Sequence, residues 1–153
     1  MNISILKETN PSEARVALTP EIAAKLVKAG FTVRVEHGAG EKAFFPDIDF
    51  EKAGAEIVAD AKTLLGGADV LIKIGVPTAA EIALVKSGTV YIGFLNPLAQ
   101  PELSKALAER GAAAFSMELI PRTSRAQSMD ALSSQASIAG YKAVLVAASE
   151  LGK

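Results

Sequence analysis

Cysteine is absent from this chain of 153 residues. That excludes disulfides, thiolate metal sites and a cysteine nucleophile. Histidine occurs once, as His37. One histidine beside a glycine turn assembles neither a multi-histidine metal centre nor a Ser/His/Asp set, so no metal is expected and His37 reads as a surface or turn residue. An excess of one charge is missing too: 16 Lys and Arg face 17 Asp and Glu, for a formal net charge of −1. Without a basic surplus, nucleic acid is not an expected partner. No apolar run reaches the roughly 18 residues of a membrane span. The opening MNISILKETN is too short and too charged for a signal peptide. These absences lead us to expect a soluble globular protein with the core of one ordinary domain.

Glycine is present, and it recurs at one kind of place. KLVKAG precedes FTVRV, FEKAG precedes AEIV, LVKSG precedes TVYIGF and LAERG precedes AAAF. Each is the end of an amphipathic segment with Lys or Arg near its last turn, then Gly, then a short apolar or β-branched run. A cation suits the negative end of a helix dipole, and glycine suits the left-handed residue just past it. Four such junctions mark α/β units. Helix openings agree, at Thr19-Pro20-Glu21, Pro77-Thr78 and Pro101-Glu102. The pattern predicts strands near Ile3–Leu6, Thr32–Val35, Ala55–Val58, Val70–Ile74, Thr89–Phe94 and Ala112–Phe115. Short, nearly continuous apolar strands predict a parallel sheet with helices on both faces, a Rossmann-like (flavodoxin-like) α/β fold. A last helix runs from about Gln127 to Glu150 with only Gly140 to interrupt it, about 36 Å at 1.5 Å per residue. Its first half is rich in small residues, which suits tight packing on the sheet or a bridge to something outside this chain.

Gly38-Ala39-Gly40-Glu41-Lys42-Ala43 matches a loose dinucleotide-binding pattern after a strand. We read it as a turn, because Phe44-Phe45-Pro46-Asp47 is poor material for the helix that must aim its amides at a pyrophosphate. Arg15 lies in a polar loop after the first strand, and Lys73 interrupts an apolar strand. Lys73 must find a partner or reach the strand's C-terminal end, since a buried unpaired charge is costly. That edge is where open α/β sheets bind ligands. Each of the two is open to a structural or a binding reading.

The densest site signal is PRTSRAQSMDALSSQ, Pro121 to Gln135. Arg122, Arg125, Gln127, Asp130, Ser133 and Ser134 bring cationic forks, an amide, a carboxylate and hydroxyls to the mouth of the last helix. On a helix Gln127 and Asp130, and Asp130 and Ser134, would be neighbours. Such a set can hold a carboxamide: Asp accepts from its NH2, and Ser or Gln donates to its carbonyl. Arginine can meet a phosphate or a carboxylate in a fork. The alternative is an N-capped, solvated loop with ordinary surface charges.

The run PRTSRAQSMDALSSQASIAGYKAV resembles the NAD(H)-binding domain of the alpha subunit of proton-translocating NAD(P) transhydrogenases. ILKETNPSEARVALTPE, KAGFTVRVEHGAG and EKAGAEIV are similar to the start of the same domain. Alanine dehydrogenases share the fold and these early motifs; in them the positions of Arg15 and Lys73 bind the 2-oxo acid. They carry a catalytic histidine where this chain has Asn96, and they lack Arg-Ala-Gln-Ser-Met-Asp. The resemblance therefore implies hydride transfer from NADH to NADP+, coupled to proton translocation, with NADP(H) on a partner subunit. It implies that Arg122 contacts the cofactor, Gln127 positions the nicotinamide ring, and Asp130 and Ser133 grip the carboxamide, with Tyr141 near the site. Implied partners are the NADP(H)-binding and membrane beta subunit and a second alpha subunit. The implied location is cytoplasmic, peripheral on the inner membrane through the complex. The expected organisation is a lobe at 1–126 and a long helix at 127–153 leading to an absent second Rossmann lobe, with the piece alone inactive and only weakly NADH-binding. An alanine dehydrogenase-type enzyme and a non-catalytic binding or dimerisation lobe are the alternatives.

Overall fold

All four glycines at the expected junctions have left-handed backbone, with φ of 89° at Gly30, 84° at Gly54, 84° at Gly88 and 72° at Gly111. A side chain is strained there, so the sequence places glycine where the chain must leave a helix and start a strand. The computed structural model describes residues 1–152. Two compact units divide the chain, Met1–Ser116 and Met117–Lys153.

The first unit alternates strand and helix: β1 (Asn2–Ile5), α1 (Pro20–Lys28), β2 (Thr32–Glu36), α2 (Asp47–Lys52), β3 (Glu56–Val58), α3 (Ala61–Gly66), β4 (Val70–Lys73), α4 (Ala79–Leu84), β5 (Val90–Gly93), α5 (Pro101–Glu109) and β6 (Ala113–Ser116). The six strands form one sheet in the order β3-β2-β1-β4-β5-β6, and every neighbouring pair is parallel. All six expected strands are present, with no end shifted by more than one residue. One junction differs from expectation. Helix α4 stops at Leu84, short of Gly88, and the Gly88 amide instead donates to the carbonyl of Gly111 at 3.0 Å.

Side-chain alternation assigns the two faces. Ile3, Ile5, Val33 and Val35 pack with Ala23 of α1 and Phe50 of α2. Leu6, Leu71 and Tyr91 pack on the other face with Leu64 and Leu65 of α3, Ile82 of α4 and Leu107 of α5. The order reverses at β1 and β4: the chain moves outward through β2 and β3, then returns to β4 on the other side of β1. Loops leaving the C-terminal ends of β1 and β4 therefore diverge, and the crevice between them is the topological switch point.

In the second unit the expected helix begins later than Gln127. Residues Ser124–Met129 form a 3-10 turn, and α6 spans Ala131–Glu150. The cause is Asp130, whose side chain accepts the Ser133 amide and so fixes the cap one residue before Ala131. Helix α6 has no buried residue, although Ile138, Tyr141, Val144 and Leu145 all lie along it.

Candidate functional site

The polar run gathers around the N-cap of α6. Asp130 Oδ1 accepts the Ser133 amide at 3.0 Å, and Oδ2 accepts the Ser133 hydroxyl at 2.6 Å. Arg122 Nη2 donates to the same hydroxyl oxygen at 3.3 Å, and its Nε lies 3.8 Å from Asp130 Oδ2. The Ser133 hydroxyl and amide, and then the Arg122 charge, hold the Asp130 carboxyl below the usual aspartate range. Arg122, Thr123, Ser124, Ala126, Gln127 and Asp130 line an open hollow of about 250 Å³. The site thus offers an anionic acceptor, a cationic fork and the exposed amide of Gln127 on one surface.

Both expected neighbour spacings are made by the backbone, although they do not set the side-chain pairing. Gln127 lies in the 3-10 turn, and the Asp130 amide donates to the Gln127 carbonyl at 3.3 Å, the i,i+3 bond of such a turn. The Ser134 amide donates to the Asp130 carbonyl at 3.3 Å, the helical i,i+4 bond, while its hydroxyl donates to the Ala131 carbonyl at 3.1 Å rather than to the Asp130 carboxylate. Ser133 is the residue the cap brings to Asp130. Tyr141 is exposed and stands about 16 Å farther along the helix axis, eleven residues from Asp130 at 1.5 Å each, so it is not part of this cluster.

The remaining candidates sit in the first unit. Arg15 is held by Glu13 in a fork, Nε to Oε1 at 2.8 Å and Nη2 to Oε2 at 2.6 Å. This hydrogen-bonded pairing lowers the Glu13 carboxyl and raises the arginine. Lys73, the last residue of β4, is 2% exposed. Its ammonium lies 3.4 Å from Glu8 Oε2 and 3.2 Å from Glu81 Oε1. Both of those carboxylates are buried as well. His37 is an exposed turn residue whose Nδ1 lies 2.6 Å from Asp47 Oδ2. Gly38-Ala39-Gly40 is a turn leading to a single 3-10 turn at Glu41–Ala43, with no α-helix opening on it. A Cβ on Gly40 would strike the Phe45 carbonyl and come within 2.7 Å of the Phe50 ring, so this glycine serves packing.

Sequence reasoning missed Glu8 and Glu81, the partners of Lys73. For Glu81 a signal was present. Thr78-Ala79-Ala80-Glu81 is a capping box, with both reciprocal bonds made in the structure. Glu8 had none, because its partners come from residues more than sixty positions away. Among the described residues, no group of three or more His, Asp or Glu side chains is placed to hold a metal ion, and no helix is long and apolar enough to cross a membrane.

Comparison with known proteins adds a second line of observation. The family model for the alanine dehydrogenase/PNT N-terminal domain matches residues 4–139. An NAD(P) transhydrogenase alpha-subunit protein from Rhodospirillum rubrum is 46% identical over 158 residues, covering 100% of this chain and 41% of that protein. The solved transhydrogenase of Sinorhizobium meliloti matches with a TM-score of 0.94 and 45% identity, over 100% of this chain and 46% of that one. An alanine dehydrogenase from Halomonas elongata is 37% identical, over 100% of this chain and 41% of its own length. The chain spans 41% of the length of either of these two curated relatives.

Proposed function

Because the chain belongs to the alanine dehydrogenase/PNT N-terminal domain family, we propose that it is the first lobe of the NAD(H)-binding subunit of an NAD(P) transhydrogenase. In this reading residues 1–126 form the lobe, and 127–153 form the helix that leads on to a second, nucleotide-binding lobe. The whole protein passes hydride from NADH to NADP+ held by a partner subunit, coupled to proton passage through a membrane subunit. The observation that carries the choice over alanine dehydrogenase is the identity across the full chain, 46% against 37%. Asn96, at the position where alanine dehydrogenases carry histidine, points the same way; its φ is 48°.

The chemistry of the N-cap cluster fits a nicotinamide carboxamide. Asp130 has acceptor capacity beyond its bonds to Ser133 and can take the carboxamide NH2. The Ser133 hydroxyl has one proton, to be given either to Asp130 or to the carboxamide oxygen. Arg122 and the Gln127 amide supply further donors. The bound nucleotide supplies the hydride; these side chains supply alignment. None of them needs to act as an acid or a base, because hydride transfer needs two rings held face to face with water excluded.

The test is an assay of the intact protein with its NADP(H)-binding partner, using NADH and an NADP+ analogue, and in parallel with pyruvate and ammonia. Transhydrogenation alone supports the reading, and activity only with pyruvate overturns it in favour of an alanine dehydrogenase. Activity in neither assay points to a binding or dimerisation lobe. In the active enzyme, Gln127→Asn is expected to lower the single-turnover rate more than NADH affinity. Equal losses would remove the positioning role.

A further inference from the structure

Glu8 is a buried charged residue of the irregular segment between β1 and α1, and its carboxylate bonds to the end of β4. Its Oε1 accepts the Ile74 amide at 2.7 Å, and its Oε2 accepts the Gly75 amide at 2.9 Å. Oε2 also faces the Lys73 ammonium at 3.4 Å. The fit is close because residue 75 is glycine: a Cβ there would stand 2.7 Å from Glu8 Oε2. Glu8 thus ties the loop that carries Glu13 and Arg15 across the switch point between β1 and β4, with Lys73 Nζ adding a bond to the Lys7 carbonyl at 3.5 Å and Lys42 Nζ holding the Asn10 and Pro11 carbonyls at 3.4 and 3.2 Å from the solvent side.

The charge at this fastening is unbalanced. Lys73 lies between two carboxylates, since Glu81 Oε1 approaches from α4 at 3.2 Å. Glu81 is fixed independently, its Oε2 accepting the Thr78 amide at 2.6 Å within the capping box. Side-chain exposure is 1% for Lys73, 4% for Glu8 and 10% for Glu81. Arg15, paired with Glu13, also attracts Glu8 from the more exposed side, but among the three buried groups one carboxylate is in surplus. A buried cluster with one negative charge too many is destabilised by desolvation and by repulsion between its carboxylates. The departure of Glu8 into water would relieve both, and it would leave behind a neutral Lys73–Glu81 pair still tied to α4.

We propose that the β1–α1 loop is a strap over the switch-point crevice, latched by Glu8 on Ile74, Gly75 and Lys73, with Glu81 as the standby partner that keeps Lys73 paired when the latch opens. The surplus carboxylate lets the strap release without unfolding the sheet. With a single carboxylate, opening would leave a lone buried ammonium, and the strap would be locked.

Hydrogen exchange at the Ile74 and Gly75 amides reads the latch directly, and tryptic cleavage after Arg15 reads the strap. Gly75→Ala crowds Glu8 out without changing any charge. It is expected to speed exchange at residues 74 and 75 and cleavage at Arg15 by about tenfold, a shift of about 1.4 kcal/mol in the latch equilibrium, while amides within β1 and β4 stay protected. Glu81→Gln keeps the helix cap, since glutamine also serves a capping box, but removes the standby charge. It is expected to slow exchange and cleavage below the level of the unmodified protein. Faster opening in Glu81→Gln, or loss of protection throughout β1 and β4 in Gly75→Ala, would overturn the proposal and make the cluster a plain structural strut. Unchanged rates at residues 74 and 75 in Gly75→Ala would overturn it equally.

Discussion

Two clusters in this chain are built from the same ingredients and put to opposite uses. At the end of β4, Lys73 and two carboxylates are sealed from water and absorbed by one another and by backbone amides. At the mouth of α6, Arg122, Asp130 and Ser133 also bond to one another, yet they stand on an open surface beside the exposed Gln127. The surroundings differ in the same sense. Met1–Ser116 holds two hydrophobic clusters, one on each face of its sheet, whereas Ala126 is the only described residue of the second unit that counts as buried hydrophobic. Where a charge is buried, the fold must satisfy it; where it stays wet, a ligand can compete for it.

Removing the sealed cation is the strongest test of this contrast. Lys73→Met leaves Glu8 and Glu81 buried without a counter-charge and is expected to destabilise the protein by about 3–5 kcal/mol in chemical denaturation. A change below about 1 kcal/mol would mean that the cluster behaves as a surface ion pair. Gly40→Ala comes next. Its Cβ would meet the Phe45 carbonyl and the Phe50 ring, and overpacking of this kind costs about 1–3 kcal/mol. Ser4 sharpens the comparison from the other side, since its hydroxyl is buried in the first unit with no hydrogen-bond partner. Ser4→Ala should therefore change stability by less than about 1 kcal/mol or raise it. In the second unit, Arg122→Gln is expected to leave the denaturation midpoint almost unmoved, a shift of about 0.5 kcal/mol or less, while, under the proposed function, it weakens hydride transfer in the intact protein. A large loss of stability would mean that this arginine holds the fold.

The smallest effect is a titration. Asp130 has a folded pKa below its ordinary value because Ser133 and Arg122 favour the carboxylate. Its contribution to the cap is therefore complete above the unfolded aspartate value of about 3.9 and fades as pH falls below that value through the folded one. NMR titration of the Ser133 amide should show its inflection on the acid side of about 3.9. An inflection above it would contradict the paired geometry.

The sheet was legible because its signals are local. Gly30, Gly54, Gly88 and Gly111 each announce a left-handed residue, and apolar runs such as Val70–Ile72 announce strands, so strand number and parallel character followed from short stretches. The start of α6 was read too early because helix formers precede Asp130, and only the bond from Asp130 to the Ser133 amide decides where the helix begins. The polar run stood out from its composition as a candidate site. Its side-chain pairing was not legible, since the Asp130 carboxylate meets Ser133 through a cap, while Gln127 and Ser134 are joined to Asp130 through the backbone. Lys73 could be seen to need a partner. Which partner it has depends on sheet order, which brings Glu8 beside β4 across more than sixty residues.

Asp130 is at once the cap of α6 and the acceptor offered by the hollow. The two uses draw on the same oxygens, so anything that takes hold of Asp130 must share it with the amide and hydroxyl of Ser133. Occupancy of the hollow and order in the first turn of the helix become linked quantities: a ligand that pulls the carboxylate outward frays that turn, and one that leaves it in place stiffens it. The amide of Ser133 is then a built-in gauge, reporting from within the backbone which kind of ligand has arrived.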